Sequence, residues 1–320
     1  MGAKRFVQAA ILFPGKIAMW SILLPIILCS CSKPQSLAPP PEQNFAQGKH
    51  EYTIGIASSW GETEYAAQVY NDILKYAKNY PMFEIKYSNT YMNNQSQIEQ
   101  INDWLNIGLD LLIVVPGDSR ALNNTINKTM HDGIPVILLG ANINGDGYSQ
   151  YIGVDYYQLG SSVGKYISQH FLQRGGTVLE VQGPSGSLIS SNIHGGLKNE
   201  LGSSLISQIA NWDADSAKQI ADKVFEGGQE IDLVVGHNDE LTYGFLEAAK
   251  QKGKDGIIYI SAGGLGEPTL GQGHIEDKSF AFAVKIPTGV KEAFDSAYGI
   301  LVDGDIQKNI FLSPEFITAE

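Results

Sequence analysis

Cysteine is nearly absent: the 320 residues hold two, Cys29 and Cys31, in the stretch Leu28-Cys-Ser-Cys31. Everything after residue 31 therefore folds without disulfide or thiolate chemistry. Two cysteines with no His cluster nearby are too few for a structural zinc site. A bridge closing a one-residue loop would be strained and would constrain the unfolded chain little. Basic residues are scarce as well, 22 against 34 acidic ones, for a net charge of −12. Such an excess of negative charge excludes nucleic acid and an anionic bilayer surface as partners. The N-terminal apolar run, residues 17–28, is about a dozen residues long and falls short of the ~20 that a spanning helix needs. Gly263, Gly264 and Gly266 do not form G-x-G-x-x-G, so no nucleotide cofactor is expected. Gly183-Pro-Ser-Gly186 lacks the spacing of a nucleophile elbow, and the carboxylates show no hydrolytic pair.

What is present begins with Lys4, Arg5 and Lys16 ahead of that apolar run, the layout of a secretory signal peptide. Its end resembles a bacterial lipobox, Leu-small-small-Cys, which implies cleavage of residues 1–30 and lipid on Cys31. An uncleaved anchor would leave the following domain on the same side of the membrane. Without residues 1–30 the chain carries 19 basic and 34 acidic residues, net −15. Residues 31–50, rich in Pro, Gln and Ser, read as a flexible tether. About 270 residues then remain, enough for two lobes.

From Tyr52 the chain alternates short β-branched runs with amphipathic segments. The expected strands are 52–57, 83–87, 111–115, 135–139 and 150–153, then 177–181, 204–210, 231–235, 257–260 and 280–284. Unbroken apolar runs such as LLIVV suit parallel strands covered on both faces. Ser96-x-x-Glu99 reads as a capping box for a helix with Ile98, Ile101 and Leu105 on one face, and Trp104 beside them as core. A helix over 288–301 and an extended stretch over 310–318 follow. The expectation is an α/β protein of two doubly wound parallel-sheet lobes joined by three crossings, 51–154 plus 286–312 and 155–285 plus 313–320. The cleft lies at the carboxyl ends of both sheets.

The stretches Gly108-Leu-Asp-Leu-Leu-Ile-Val-Val-Pro-Gly-Asp118, Asp132-Gly-Ile-Pro-Val-Ile137, Ile152-Gly-Val-Asp155, Val181-Gln-Gly-Pro-Ser-Gly186 and Gly236-His-Asn-Asp-Glu240 resemble the periplasmic binding proteins of the ribose/galactose-binding type. These share their core with LacI-like regulators. The resemblance implies a ligand contact at Asn238 and contacts in the loop with Trp60, Glu62, Glu64 and Tyr65. It also implies an aromatic plate at Trp212 and a polar hinge-side contact at Lys285. Three positions depart from that pattern. Gly140-Ala141-Asn142 stands where sugar binders have Asp-Arg, Asn192-Ile193-His194 where an Arg precedes Gly-Phe, and Ser261-Ala262-Gly263 where Gly-Phe-Asp is usual.

The site expected from the sequence is thus small-walled (Gly140, Ala141, Gly263, Gly264) and faced with aromatics, with room for an oligosaccharide, glycoside or modified sugar. A small cation caged by aromatics, with Glu62 or Glu64 as counter-charge, is the other expectation. Each residue also has a plainer reading. Tyr65 shares a helical face with Val69, Ile73 and Tyr76, the glutamates suit a first helical turn, Asn238 suits an N-cap, and His194 and His237 suit a polar surface. The resemblance implies a lipid-anchored solute binder working with an ABC-type permease or a sensor kinase. A saccharide-acting enzyme is the second expectation, and the signal segment and the missing basic helix-turn-helix argue against a DNA-binding regulator.

Overall fold

The structure, a computed structural model, describes residues 51–60, 63–173, 175–264, 271–304 and 307–318. The signal segment, the tether, Cys31 and Glu62 lie outside them. No helix among the described residues is long and apolar enough to cross a membrane.

The first sheet holds β1 (Tyr52–Ser58), β2 (Phe83–Asn89), β3 (Leu111–Val115), β4 (Val136–Leu139), β5 (Gln150–Gly153) and β11 (Asn309–Phe311). The second holds β6 (Val178–Gln182), β7 (Leu205–Ile209), β8 (Leu233–Gly236), β9 (Ile258–Gly264), β10 (Phe282–Lys285) and β12 (Glu315–Thr318). Strand orders are β11-β5-β4-β3-β1-β2 and β12-β10-β9-β8-β6-β7, the same doubly wound plan twice. The two differ at the last strand, since β11 runs parallel to β5 and β12 antiparallel to β10.

The continuous apolar strands follow from covering both faces. In β3, Leu111, Ile113 and Val115 enter one core, with α1 (Glu64–Ala77) and α9 (Val290–Tyr298). Leu112 and Val114 enter the opposite one, with α2 (Asn94–Ile107) and α3 (Asn123–His131). Trp104 is fully inside that second core at 2% exposure. The second sheet repeats the division. Leu179, Val181 and Val234 face α6 (Ala214–Glu226) and α7 (Asp239–Gln251), while Val178, Leu233 and Val235 face α4 (Tyr156–His170) and α5 (Leu188–Leu201).

Two local expectations are corrected. α2 begins earlier than the Ser96 box, because Asn93 is its N-cap and accepts the Ser96 N–H at 2.9 Å. An Asn caps as well as a Ser, and here it stands three residues nearer the turn. The stretch expected as one extended piece over 310–318 is two short strands, one in each sheet.

The chain passes between the sheets after β5, after β10 and after β11. The crossings are held to their neighbours: Tyr151 Oη donates to the Val154 carbonyl at 3.1 Å and the Leu312 N–H to the Gly153 carbonyl at 2.8 Å. Gly289, at φ 70°, enters α9 where a Cβ would lie 2.8 Å from Leu312 and 3.0 Å from Leu139. Only glycine meets both the left-handed backbone and the close approach.

Candidate ligand-binding site

A cavity of about 420 Å³ opens where the carboxyl ends of the two sheets meet, lined from both lobes. On the first lobe Trp60 and Tyr65 stand with ring centroids 4.5 Å apart and planes tilted by 32°. Gly140 lies behind Trp60 rather than in the lining. A Cβ there would come within 3.0 Å of the Trp60 ring, so the glycine gives the indole its place. Ala141 and Asn142 line the cavity, and Asn142 is partly committed by accepting the Ile143 N–H at 2.8 Å. Tyr65 is both wall and core: it lines the cavity, packs against both lobes' cores, and donates its hydroxyl to the Pro287 carbonyl at 3.1 Å.

On the second lobe Asn238 caps α7, accepting the Leu241 N–H at 2.9 Å, and its amide donates to the Trp212 carbonyl at 3.1 Å. It thereby joins two cavity loops while lining the cavity itself. Trp212 sits at φ 66°, a left-handed conformation for a bulky residue, and strain of this kind collects at functional sites. Its ring lies flat on Gly183, where a Cβ would fall 2.2 Å away. Gly263 and Gly264 complete the floor. Gly264 leaves space for the buried Asp239 carboxylate, whose Oδ1 accepts from Ser261 Oγ at 2.5 Å.

Beneath Trp212 is a polar network that the sequence did not reveal. Glu180, at 0% exposure in the middle of β6, receives His237 Nε2 at 2.8 Å, His194 Nδ1 at 2.7 Å, Ser207 Oγ at 2.5 Å and Gln182 Nε2 at 2.8 Å. Burial would raise its pKa, but the bonds from His237, Ser207 and Gln182 outweigh that and bring it down to about 2. His237, 2% exposed, lines the cavity with both ring nitrogens engaged, the second at 2.9 Å from Ser190 Oγ. Both histidines thus partner a buried carboxylate, His237 from inside the fold and His194 from a side chain that stays 37% exposed at the surface. The one sign in the sequence is a Glu inside the apolar strand TVLEV.

Glu240, also missed, lines the cavity from the first turn of α7. Burial, with a smaller push from the Glu64 carboxylate, raises its pKa to about 7, against the opposing effect of its own N–H and that of Glu64. Glu64 therefore acts on Glu240 of the second lobe through both its N–H and its charge, and it is not part of the lining. Ser119 makes a second contact between the lobes, donating to the Gly186 carbonyl at 3.3 Å. Lys285 ends β10, in register with Glu315 of β12 and outside the lining. Of the stretch Asn192-Ile193-His194, only Ile193 reaches the cavity. No group of three His, Cys, Asp or Glu among the described residues is placed to hold a metal.

Two like-wound lobes, three crossings and a cavity at the facing carboxyl ends define the class, the type I periplasmic-binding fold. The family model described as "Periplasmic binding protein domain" matches residues 54–302, and the chain belongs to that family. The Ribose import binding protein RbsB of Bacillus subtilis (strain 168) is 25% identical over 233 residues, 72% of this chain and 74% of its own. The Galactofuranose-binding protein YtfQ of Escherichia coli (strain K12) is 22% identical over 308 residues, 92% of this chain and 93% of its own. Among solved structures, the fructose binding periplasmic domain of the hybrid two component system BT1754 superposes with a TM-score of 0.79 at 26% identity. It covers 83% of this chain and 90% of its own.

Proposed function

We propose that the protein is an exported solute-binding lipoprotein that closes its two lobes around a small neutral saccharide. The observation that carries this reading is the cavity itself, with Trp60 and Tyr65 on one lobe, Trp212 on the other, and Asn142, Asn211 and Asn238 in its lining. Aromatic faces pack on the C–H faces of a sugar ring, and amides can both donate to and accept from its hydroxyls. Lys and Arg are missing from the described lining, which favours a ligand without negative charge. Ribose, galactofuranose and fructose, named for the relatives, point to the same class. Ligand affinity would come from contacts made only when the lobes are shut, and the shut form is what a partner reads. Relatives of both an import system and a two component system support a permease or a sensor kinase as that partner. Residues 1–30 as signal peptide, lipid on Cys31 and the tether over 31–50 would hold the domain at the outer face of a membrane.

The test is a thermal-shift and native mass-spectrometry screen of the purified protein against neutral sugars. At least one sugar should raise the melting temperature, and Trp212→Ala and Asn238→Ala should each remove most of that shift. A second reading, a caged cation, is supported by Asp213 and Glu240 in a lining that has aromatics and no Lys or Arg. Quaternary amines in the same screen separate the two, and silence from both ligand classes would sink both. Cys31→Ser should abolish incorporation of labelled fatty acid into the protein.

A further inference from the structure

The polar character of the cavity is one-sided. α6 and α7 cover one face of the second sheet and α5 the other, so their leading ends reach the cavity from opposite sides. The α6–α7 side brings Asn211, Asp213, Asn238 and Glu240, and Glu240 meets the first lobe at the Glu64 N–H. The α5 side brings Leu188, Ile189 and Ile193. It meets the first lobe where Ser119 Oγ donates to the Gly186 carbonyl, so the loop after β3, with Pro116 and Gly117, faces the start of α5. Met92 joins this side, because Gly117 abuts Asn94, two residues on from Met92 in the next loop.

The polar groups near α5 include Tyr156 in the lining and, outside the lining, Arg120 and Asp118 against Gly186, and the others are spoken for. Ser187 Oγ accepts the Ser190 N–H at 3.2 Å as the helix cap, Ser119 Oγ donates to Gly186, and both nitrogens of His237 are bonded. Ile193 stands in the stretch where the family resemblance implies an Arg, and among its neighbours Asn192 is exposed while His194 turns to Glu180. A sugar hydroxyl placed against Leu188 and Ile189 would lose its water and gain little in return, whereas an apolar group there would gain by leaving water.

Resting on the saccharide reading above, we propose that the α5 side is an apolar subsite and that the ligand is a sugar carrying an apolar group. That group, the methyl of a deoxy sugar or the aglycone of a glycoside, would lie against Leu188, Ile189 and Met92 while the hydroxylated ring face meets the asparagines.

The experiment is calorimetric titration of the full-length protein with glucose, galactose and ribose, each as the free sugar, the terminal-deoxy sugar and the phenyl glycoside. For at least one parent, a substituted form should bind about tenfold tighter or more, and the form that does so tells methyl from aglycone. Leu188→Asn should shrink that ratio several-fold, with Ile189→Asn as the second variant if Leu188→Asn melts below the assay temperature. Parent sugars binding as tightly as their substituted forms would overturn the subsite and leave the saccharide reading standing. If no sugar in any form binds, the saccharide reading fails and the subsite with it.

Discussion

The two lobes repeat one strand order and yet solve the interior differently. In the first, a buried amide reaches the sheet from a helix: Gln97 of α2 donates to the Ala57 and Val115 carbonyls, near the ends of β1 and β3, at 3.0 and 2.9 Å. In the second the buried group is a carboxylate, Glu180, saturated by two histidines, a serine and a glutamine. Each lobe also seats a cavity tryptophan on a glycine, Trp60 on Gly140 and Trp212 on Gly183, but the second contact is far closer, at 2.2 Å against 3.0 Å for an added Cβ. A shared topology thus fixes where the walls stand and leaves their support to individual side chains.

The largest effect should come from breaking the hydrogen-bond network around Glu180. Glu180→Ala strands His237 and Ser207 and should destabilise the protein by about 3–5 kcal/mol in chemical denaturation, whereas Gln97→Ala in the first lobe should cost about 1–3 kcal/mol. Equal losses would mean that the network is no more demanding than a neutral amide. Next come the glycines. Gly183→Ala must push Trp212 off its seat and should weaken ligand binding at least tenfold in titration, while Gly140→Ala asks the Trp60 ring to shift by tenths of an ångström and should weaken it less. A reversed order would show that the first lobe's plate dominates recognition. Asn238→Ala removes a cap, costing about 1 kcal/mol of stability, and frees the Trp212 loop.

The smallest effect is on pH dependence, where two glutamates of the second lobe, the fully buried Glu180 and the half-buried Glu240, have opposite signs. Glu180, depressed to about 2, contributes stability above the unfolded value near ~4.3 that is lost as pH falls toward 2. Glu240, raised to about 7, stabilises the protonated folded state, so its contribution is present below ~4.3 and is lost as pH rises through 7. Glu240→Gln should flatten the stability profile between pH 5 and 8, and an unchanged slope would mean that its carboxyl is not buried in solution.

Much of the fold was legible because parallel strands covered on both faces leave unbroken apolar runs, and LLIVV became β3 residue for residue. Cap chemistry was less decisive, since Asn93 and Ser96 offer the same kind of acceptor and only geometry chooses between them. The candidates Trp60, Tyr65, Trp212 and Asn238 came from the family resemblance, which aligns the segments following strands, and all four line the cavity. The Glu180–His237 pair could not, because its members are 57 residues apart and a lone histidine carries no mark of its partner. Gly140 and Lys285 illustrate the same limit, as one works from behind Trp60 and the other closes a strand pair beyond the lining.

Tyr65 leaves one mechanical consequence. Its ring borders the cavity while its hydroxyl holds the Pro287 carbonyl, and Thr288, the next residue, donates to Asp72 further along α1 at 2.6 Å. α1 is therefore tied at two points to the crossing segment that follows β10. A solute in the cavity would therefore touch, through a single ring, a residue tied directly to the segment that joins the lobes.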